Sequence, residues 1–597
     1  MPSRIEDYAI IGDCLTAALV GRDGSVDWLC LPRFDSPACF AALVGDENNG
    51  RWKIAPEGEI TSTTRRYRGD TLVLETEFTT PSGKVRLIDF MPPRGEAPDL
   101  VRIVEGVEGR VDLHMELVFR FDYGSVVPWV TRTEDGLTAI AGPDMVRLVS
   151  RVPLHGEHFT TACRFSVGAG ERIPFVMTWY PSYRDQPKAV DCEQALRTTE
   201  AFWTDWAAKC NYRGPHRDTV VRSLITLKAL TYEPTGGMVA APTTSLPEEL
   251  GGVRNWDYRY CWVRDSTFTL FALANAGYLD EARAWRSWLQ RAVAGTPDTL
   301  QIMYGIDGRR RLPEAELPWL GGYEGAKPVR IGNAAAQQFQ LDVFGELGET
   351  MYKCLRAGLE PSGDGWNIAL SLHERLETTW HEPDDGIWEV RGPRRHFTHS
   401  KVMAWVAFDR AVKAIEEFGL EGPADRWRSI RDEIHAEVCR EGFNTEKGAF
   451  VQSYGSNQLD ASLLMMCVVG FLPAGDPRVK GTIEAIEREL TDDSGLVARY
   501  TPEEDVDGLP PGEGKFMPCS FWLVDNLKAL GRDDDANRLL EKLIGMGNDV
   551  GLLSEEYDPK ARRMTGNFPQ AFSHLAMIHS IFTVNEHHGP TDGEPRK

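Results

Sequence analysis

Residues 251–265, with the sequence GGVRNWDYRYCWVRD, concentrate aromatic and charged side chains in one short stretch. A pyranose ring has apolar faces and hydroxylated edges, so aromatic surfaces beside fixed polar groups suit it as a ligand. The alternative is a packed loop whose charges pair internally, and the stretch alone does not decide between the two. Its aromatic residues are Trp256, Tyr258, Tyr260 and Trp262, and Arg254, Asp257, Arg259, Arg264 and Asp265 carry its charges.

Two glutamates have settings that could perform acid and base chemistry. Glycoside hydrolysis needs a protonated acid at the leaving oxygen and a second carboxylate on the other side of the bond. An aromatic or apolar setting raises the pKa of such an acid. Glu389 lies between Trp388 and Val390, and Glu555 follows the apolar pair Leu552 and Leu553. A single loop glutamate is more often simply solvated, so the prediction depends on whether these two meet the aromatic stretch.

Other chemistries lack their sequence patterns. No GxxxxGK[ST], HExxH or strand-linked GxGxxG motif occurs, so we expect no nucleotide cofactor. His396 and His399 are three residues apart, but no further ligand lies at zinc spacing, so we expect no metal. There is no GxSxG motif, and Cys261 has no nearby histidine that could activate it.

The first part of the chain reads as β-structure. Segments 71–91, 100–121 and 159–179 each read as two strands around a turn, at Pro-Ser-Gly, Glu-Gly and Gly-Ala-Gly respectively. Short alternating strands with frequent turn signals are typical of an antiparallel sandwich. We therefore predict a β-sandwich domain over residues 1–185 and a helical linker over 186–214.

The rest of the chain has helical periodicity. About twelve candidate helices follow residue 215, and every second connection between them is short. Six helix pairs joined in this way form an (α/α)6 barrel with its long loops at one end, and we predict this catalytic domain over 215–590. A solenoid of helix pairs is the alternative. The residues 591–597 are predicted to be a disordered tail. The long loops are 233–264, 294–332, 381–397, 441–457, 491–516 and 548–567.

Composition limits the partners. The chain has 597 residues, a formal net charge of -23 and a pI near 5.1, which argues against nucleic acid or an anionic membrane as a partner. No export signal and no apolar run long enough to cross a bilayer is evident. The 11 cysteines are scattered and odd in number, which predicts reduced thiols and a cytoplasmic location. The oligomeric state stays open.

Several ordered motifs resemble glycoside hydrolase family 15, which contains glucoamylases and bacterial trehalases. WDYRYCWVRDS at 256–266 resembles its substrate-binding loop, GIWE at 386–389 its acid segment, and LLSEEYD at 552–558 its base segment. VARY at 497–500 resembles a further sugar-binding loop, and the β-domain with DWLCLPRFDS resembles the bacterial branch. The resemblance therefore covers nearly the whole chain.

The resemblance implies roles for individual residues. Glu389 is implied as the general acid and Glu555, rather than its neighbour Glu556, as the general base. Arg264, Asp265 and Arg499 are implied to hold glucose hydroxyls, and Tyr258 and Trp262 to line the pocket. The family inverts configuration, so the two carboxyl groups are expected to lie about 6.5–9.5 Å apart. Val390 replaces a second glutamate found after the acid in a familiar member, and no starch-binding module is present.

Four more residues are candidates for substrate contact. Trp388 precedes the implied acid, and Trp319 could form a platform for the second sugar, although exposed packing is the alternative. Arg330 and Asn333 precede a predicted helix at 333–357, whose N-terminus could bind a hydroxyl or an anion, with ordinary capping as the alternative.

The expected activity is that of an exo-acting, inverting α-glucoside hydrolase. It would release β-glucose either from α-gluco-oligosaccharides or from trehalose, a small carbohydrate in both cases. Two alternatives are an (α/α)6-barrel disaccharide phosphorylase that uses inorganic phosphate and an inactive glycan-binding protein. Both retained carboxylates argue against the second alternative.

Overall fold

The computed structural model describes residues 2–359, 363–501, 508–510 and 512–592. Of the predicted tail 591–597, only the first two residues fall within these ranges, and the rest lies outside the described residues. Thr591 is buried, and its hydroxyl donates to Oδ1 of Asn275 over 2.9 Å. The chain therefore stays packed against the barrel at least as far as Thr591.

The N-terminal part is a network of fifteen antiparallel strands in two layers. One layer has the order β1-β2-β3-β5-β9-β14-β13, with β4 beside β3, and the other has β6-β7-β8-β9-β15-β12-β11-β10. The strands are β1 Tyr8–Gly12, β2 Ala17–Gly21, β3 Ser25–Cys30, β4 Ala38–Phe40, β5 Arg51–Pro56, β6 Ser62–Tyr67, β7 Leu74–Thr80, β8 Gly83–Phe90, β9 Asp99–Val118, β10 Trp129–Thr133, β11 Gly136–Ala141, β12 Asp144–Ser150, β13 His155–Glu157, β14 Thr160–Gly168 and β15 Arg172–Pro181.

Strand β9 belongs to both layers. Its first half pairs with β8 and β15, and its second half pairs with β5 and β14. The turn predicted at Glu-Gly within 100–121 is therefore wrong, because the chain continues as one strand. The partner changes between Glu105, which faces β15, and Arg110, which faces β14. Gly109, at φ 66°, lies in this interval, so the glycine allows a local change of direction rather than a reversal.

The two layers share one core, and the linker helix joins that domain to the barrel. Side chains of both layers, such as Trp52 and Leu87, belong to the same buried cluster. Helix α1, Cys192–Ala207, begins after Asp191, whose carboxylate accepts from two backbone amides in the first turn. Near its other end Trp206 stacks on Tyr278, with ring centroids 4.2 Å apart. The helix thus packs against both parts of the chain.

Twelve helices of the described residues form the second part. They are α2 Arg217–Ala229, α3 Ser266–Asn275, α4 Leu279–Val293, α5 Asp342–Arg356, α6 Gly363–Thr379, α7 Thr398–Phe418, α8 Ala424–Glu441, α9 Met465–Val468, α10 Pro477–Glu489, α11 Met517–Ala529, α12 Asp533–Ile544 and α13 Ala571–Val584. Helices α3, α5, α7, α9, α11 and α13 contact one another in a closed ring, with α13 against α3. The other six lie outside this ring, so the predicted (α/α)6 barrel is confirmed.

Burial separates the inner helices from the outer ones. In α11 every residue from Met517 to Leu527 is buried, as expected of a helix that is enclosed on all sides. In α12 only Ala536, Leu540 and Leu543 are buried, at the spacing of a single apolar face. Hydrophobic periodicity therefore distinguishes the two rings. No helix of the described ranges is both long enough and apolar enough to cross a bilayer.

Two predicted helices differ in detail. The helix predicted at 333–357 begins only at Asp342, after a short 3-10 turn at Ala334–Gln337. One of the twelve helices predicted after residue 215, expected at 458–470, consists of a 3-10 turn, Ala461–Leu464, followed by the four residues of α9. In both cases the apolar pattern extends into residues that are buried without being α-helical.

Short strand pairs stiffen the loops of the barrel. They are β16 Thr231–Tyr232 with β17 Gly237–Met238, β18 Cys261–Trp262 with β19 Met303–Tyr304, β20 Ala315–Glu316 with β21 Arg330–Ile331, β22 Phe443–Asn444 with β23 Ala449–Phe450, and β24 Lys515–Phe516 with β25 Glu556–Asp558 and β26 Arg563–Thr565. Pairing of β24 with β25 connects the loop before α11 to the segment that carries Glu555.

Candidate active site

The loops before the inner helices enclose one polar pocket. Asp265 immediately precedes α3, and the segments with Glu389 and Glu555 come before α7 and α13. All inner helices point the same way, so their N-terminal ends gather these loops. The pocket is lined by Glu248, Arg254, Trp256, Tyr258, Arg264, Asn333, Ala335, Ile387, Trp388, Glu389, Arg391, Arg499, Leu509 and Phe516.

Glu389 lies at the edge of this pocket. Its Oε1 accepts from the indole N–H of Trp262 over 2.6 Å and from the guanidinium of Arg264 over 3.3 Å. Its side chain keeps 19% of its surface exposed. The second oxygen, Oε2, has no hydrogen-bond partner among the described residues. This oxygen is therefore free to contact a ligand in the pocket.

The backbone at Glu389 adopts a conformation that is rare outside glycine. Its φ is 58°, in the left-handed region, and such strain persists only where the surroundings impose it. The side-chain amide of Gln338 donates to the carbonyl oxygens of Glu389 and Val390, over 3.2 and 2.9 Å. Trp388 is fixed on the other side by its indole N–H, which donates to Asp460 over 2.9 Å. These bonds hold the segment and so orient the carboxyl group.

Glu555 is fully buried, and both of its oxygens accept hydrogen bonds. The hydroxyl of Tyr258 donates to Oε1 over 2.6 Å, and the backbone N–H of Asn567 donates to Oε2 over 3.0 Å. Burial raises the pKa of Glu555 to about 8, and the nearby Glu248 adds to this, while the two donors oppose it. Burial therefore gives Glu555 an unusually high affinity for a proton, a property that the sequence led us to expect of the acid rather than of the base, while the two donors favour its carboxylate form.

Two aromatic rings connect these carboxyl groups. Tyr258 and Trp262 lie edge to face with ring centroids 5.1 Å apart. The tyrosine hydroxyl bonds Glu555, and the indole N–H bonds Glu389. The stretch 251–265 therefore contacts both glutamates, one through Tyr258 and the other through Trp262.

Arg264 faces the pocket, whereas Asp265 stands behind it. The guanidinium of Arg264 donates to Oδ1 of Asp265 over 3.2 Å and to the backbone oxygen of Ile387 over 3.1 Å. It also lies over the ring of Phe572 at 5.4 Å. Asp265 is buried and is not among the lining residues, so in this structure it orients Arg264. Burial next to Arg264 lowers the pKa of His399 to about 3, which keeps this imidazole neutral.

Arg499 lies within a group of carboxylates. Its guanidinium donates to Glu248 over 2.9 Å and to Glu513, and it approaches Glu556 to 3.4 Å. Oxygens of these three glutamates lie within 4.8 Å of one another, a spacing that could also hold a metal ion. In this structure the positive charge that contacts all three glutamates is the guanidinium of Arg499. Glu556 thus faces this group, while its neighbour Glu555 faces Tyr258.

The remaining candidates have different positions. Trp319 is 47% exposed, and its indole N–H donates to the backbone oxygen of Tyr123 in the β-domain over 3.0 Å. It is absent from the residues that line this pocket, and its role as a platform for a second sugar stays a prediction. Asn333 does line the pocket, but its side chain caps a 3-10 turn through Ala335 rather than an α-helix.

Arg330 does not stand at a helix N-terminus either. Its guanidinium donates to the backbone oxygens of Val253 and Asn255, each over 3.0 Å, and lies 4.6 Å from the ring centre of Trp256. The expected anion site at the start of a helix is therefore not formed, because the helix begins later. Arg330 instead supports the loop that carries Trp256.

The β-domain also contacts the loop 233–264, which carries Trp256 and Tyr258. Arg259 bonds both oxygens of Asp257, over 2.8 and 2.7 Å, and donates to the backbone oxygen of Ser36 over 3.1 Å. The indole N–H of Trp28 donates to the backbone oxygen of Pro242 over 2.7 Å. The stretch 27–36 therefore packs against the loop that carries Tyr258.

Some residues of the pocket were not foreseen. Glu248 and Arg391 line it, and Glu513 pairs with Arg499, but none of them lies in a recognised motif. Glu248 stands just ahead of residues 251–265 in the same long loop, which is a signal that could have identified it. For Arg391, which lies 4.4 Å from the ring centre of Trp256, no comparable signal exists.

Comparisons with known proteins agree with this geometry. Residues 214–582 match the family described as glycosyl hydrolases family 15, and residues 1–156 match a domain described as trehalase-like, N-terminal. A trehalase from Mycobacterium tuberculosis (strain ATCC 25618 / H37Rv) is 40% identical, over 97% of this chain and 89% of that protein. A trehalase from Thermoplasma volcanium (strain ATCC 51530 / DSM 4299 / JCM 9571 / NBRC 15438 / GSS1) is 36% identical, over 96% and 92%.

A solved structure shares the fold over nearly the whole chain. A bacterial glucoamylase complexed with acarbose aligns with a TM-score of 0.75 and 13% sequence identity, and the alignment covers 99% of this chain and 95% of that one. The match of the family to residues 214–582 spans more than half of the chain. This chain belongs to glycosyl hydrolases family 15 and is a glycoside hydrolase.

Proposed function

We propose that this enzyme hydrolyses trehalose with inversion of configuration, with Glu389 as the general acid and Glu555 as the general base. The role assignment rests on Tyr258 and Trp262. The hydroxyl of Tyr258 bonds Glu555, and the indole N–H of Trp262 bonds Glu389. The two curated relatives described above are trehalases, which favours trehalose over α-gluco-oligosaccharides. The phosphorylase is not favoured, because the family is one of hydrolases.

The hydrogen bonds favour this division of roles. Both oxygens of Glu555 accept from donors, so the group is arranged as a carboxylate that can take a proton from water. The free Oε2 of Glu389 can give its proton to the oxygen between the two glucose units. Water attacks the anomeric carbon from the opposite face as that bond breaks. The products are one β-glucose and one α-glucose, and the two glutamates exchange their protonation states.

We propose that Arg264 and Arg499 hold the glucose ring whose anomeric carbon is attacked by water. Arg264 faces the pocket beside Glu389, and Arg499 faces it beside Trp388, whose ring centre lies 5.7 Å from the guanidinium. Asp265 acts through Arg264 by fixing its guanidinium. Arg330 supports the loop that carries Trp256, and the indole of Trp319 contacts the β-domain. All eleven cysteines are free thiols, which supports a reducing cytoplasm as the location.

The product anomers test this proposal. Trehalose and maltotriose are each incubated with the enzyme, with and without phosphate, and followed by proton NMR from the first turnover. We expect equal initial amounts of α- and β-glucose from trehalose, and at most a small rate with maltotriose. Two α-glucose molecules from trehalose, or glucose 1-phosphate in the presence of phosphate, would contradict the mechanism. Faster release of β-glucose from maltotriose would reassign the substrate.

The role of each glutamate is tested by isosteric amides. Glu389→Gln and Glu555→Gln should each lower kcat for trehalose by about a thousandfold or more, because each removes a proton-transfer group. Glu556→Gln is the matched control, since it is adjacent to Glu555, equally buried and turned toward Arg499. It should retain most of the wild-type kcat. A larger loss in Glu556→Gln than in Glu555→Gln would mean that the base is misassigned.

A further inference from the structure

The strands at the two sides of the β-domain are protected to different degrees. On one side β1 and β6 meet the barrel, because Asn548 donates to the backbone oxygen of Tyr8 and Arg65 bonds Asp549. On the other side β10 is the last strand of its layer, and all five of its residues are exposed. Its one charged residue is Arg132. An uncovered sheet edge with few charges is a template for pairing with another strand.

Beside β10 lies a cleft of about 490 Å³ that is bordered by strands of both layers. The walls that solvent reaches are apolar, since Trp129 is 83% exposed, Phe159 is 80% exposed, and Val127 and Val130 are half-exposed. Trp129 and Val130 belong to β10, and Phe159 stands at the tip of the hairpin between β13 and β14. Large apolar side chains gathered at one place in solvent indicate an interaction surface.

The hairpin tip presents its ring at a cost in backbone energy. Phe159 has a φ of 60°, in the left-handed region that large side chains rarely adopt. The guanidinium of Arg120 donates to the backbone oxygen of Phe159 over 3.2 Å and so helps to hold this turn. Such strain persists only where the surroundings impose it. Here it keeps an aromatic ring in water, an arrangement from which an isolated monomer gains nothing.

The exposed apolar area is close to what a stable dimer needs. Each partner of a standard interface buries about 800 Å², of which roughly 500 Å² is non-polar. A whole aromatic side chain can bury about 150–250 Å², so the two rings offer about 300 Å² on each protomer. The half-exposed valines beside them add to this area. A second copy of the chain would therefore bury enough non-polar surface for a specific interface.

The charges also favour this surface for contact between two copies. The chain has a net charge of -23, which opposes self-association over most of the molecule. The residues that line the cleft include one arginine, Arg120, and one glutamate, Glu157, so with histidine neutral their net charge is zero. Charges farther away than about 8 Å are largely screened at physiological ionic strength. Two copies can therefore meet at this cleft with little repulsion.

Projecting rings and a cleft that can receive them lie on the same face of one protomer. Such a face is complementary to a second copy of itself related by a two-fold axis, which is the commonest symmetry of protein dimers. We propose that residues 126–133 and 155–161 form the interface of a homodimer, in which Trp129 and Phe159 of each protomer enter the cleft of the other. The proposal concerns the β-domain and does not depend on the substrate or on the roles of the catalytic residues.

The mass of the intact enzyme in solution tests the proposal. Analytical ultracentrifugation is run from nanomolar to tens of micromolar protein. The chain has a mass of 66.8 kDa, and we expect twice this mass at the upper end of the range. A protein that stays monomeric throughout would overturn the proposal.

Variants of the two rings locate the interface. Trp129→Ser and Phe159→Asn each remove one ring, and asparagine tolerates a left-handed backbone at residue 159. Each should raise the Kd of the dimer at least tenfold. Val107→Ser is the control, because Val107 is exposed but lies about 30 Å along β9 from Leu117, which borders the cleft. A wild-type circular dichroism spectrum shows that a variant is folded. An unchanged Kd in either folded ring variant, or equal weakening in Val107→Ser, would contradict the proposal.

Hydrogen exchange gives a readout that does not depend on the choice of ring. At tens of micromolar protein, the backbone amides of 126–133 and 155–161 should exchange at least threefold more slowly in the wild type than in Trp129→Ser. The dimer covers these segments, whereas the variant leaves them in water. Slower exchange in other segments of the wild-type dimer, with none in these two, would place the interface elsewhere and overturn the proposal.

Discussion

Glu389 and Glu555 stand in opposite surroundings, although loops at the same end of the barrel carry both. Glu389 is partly exposed, shares one oxygen with Trp262 and Arg264, and keeps the other oxygen free. Glu555 is fully buried, and both oxygens are bonded. The first arrangement suits delivery of a proton to a ligand that enters and leaves. The second suits a fixed carboxylate whose affinity for a proton has been raised by burial.

The backbone segments that carry Glu389 and Glu555 also differ in their strain and in the contacts that support them. The segment with Glu389 has a left-handed backbone and depends on the side chain of Gln338. The segment with Glu555 continues into strand β25, and the backbone N–H of Glu555 donates to the backbone oxygen of Asn567 over 3.1 Å. The proposed acid is thus held by a side chain, whereas the proposed base is held by a backbone hydrogen bond.

The largest expected effect is a difference between the Glu389 and Glu555 variants on a substrate whose leaving group needs no acid. α-Glucosyl fluoride loses fluoride with little help from an acid, so Glu389→Gln should hydrolyse it at close to the wild-type rate while losing about a thousandfold on trehalose. Glu555→Gln should lose activity on both substrates, because each needs an activated water. Initial rates by fluoride electrode and by glucose release measure the contrast. The reverse pattern would exchange the two assignments.

The raised pKa of Glu555 predicts the acidic limb of the pH profile. A general base must be deprotonated, so activity is lost as the pH falls through its pKa, here about 8 in the free enzyme. Log kcat/KM for trehalose should therefore decline with falling pH well above the range of an ordinary glutamate, near 4.3. An acidic limb below pH 5 would mean that the hydrogen-bond donors lower the pKa of Glu555 by more than burial raises it.

Removal of the hydrogen-bond donor Tyr258 should shift the acidic limb of the pH profile. Tyr258→Phe removes the hydroxyl that favours the carboxylate form of Glu555, so its pKa rises, and the acidic limb should shift upward by about one pH unit. Activity at pH 7 should fall about tenfold. Tyr260→Phe is the control, since Tyr260 lies in the same stretch and does not bond Glu555. Equal shifts in both variants would point to a general disturbance of the loop.

The sequence predicted one part of this site better than the other. Motifs and periodicity selected Glu389, Glu555 and the aromatic stretch as candidates, and hydrogen bonds join them in the structure, because local apolar patterns and loop lengths define which ends of the helices meet. They could not show that Glu389 has a left-handed backbone or that Tyr258 bonds Glu555, since both depend on contacts between distant loops. Trp319 illustrates the same limit, because its partner is a backbone oxygen of the β-domain.

The fold shows a similar division. The barrel followed from the alternation of short and long connections, whereas strand β9 was mistaken for a hairpin. Glycine-containing dipeptides favour turns on local grounds, but here each half of the strand finds partners in a different layer. Likewise, the start of α5 was predicted too early, because residues 334–341 are partly buried without forming an α-helix. Tertiary pairing overrode local preference in both cases.

The support of Glu389 by Gln338 yields the smallest expected effect and the most specific one. Gln338→Ala removes two half-buried hydrogen bonds to the acid segment, worth about 0.5 kcal/mol each, so kcat on trehalose should fall about fivefold. Hydrolysis of α-glucosyl fluoride should be nearly unchanged, because the base is untouched. Gln337→Ala, at an exposed neighbouring position, controls for substitution in this segment. If both substrates slow equally in Gln338→Ala, the loss is one of general stability, and the acid segment does not depend on this side chain for its orientation.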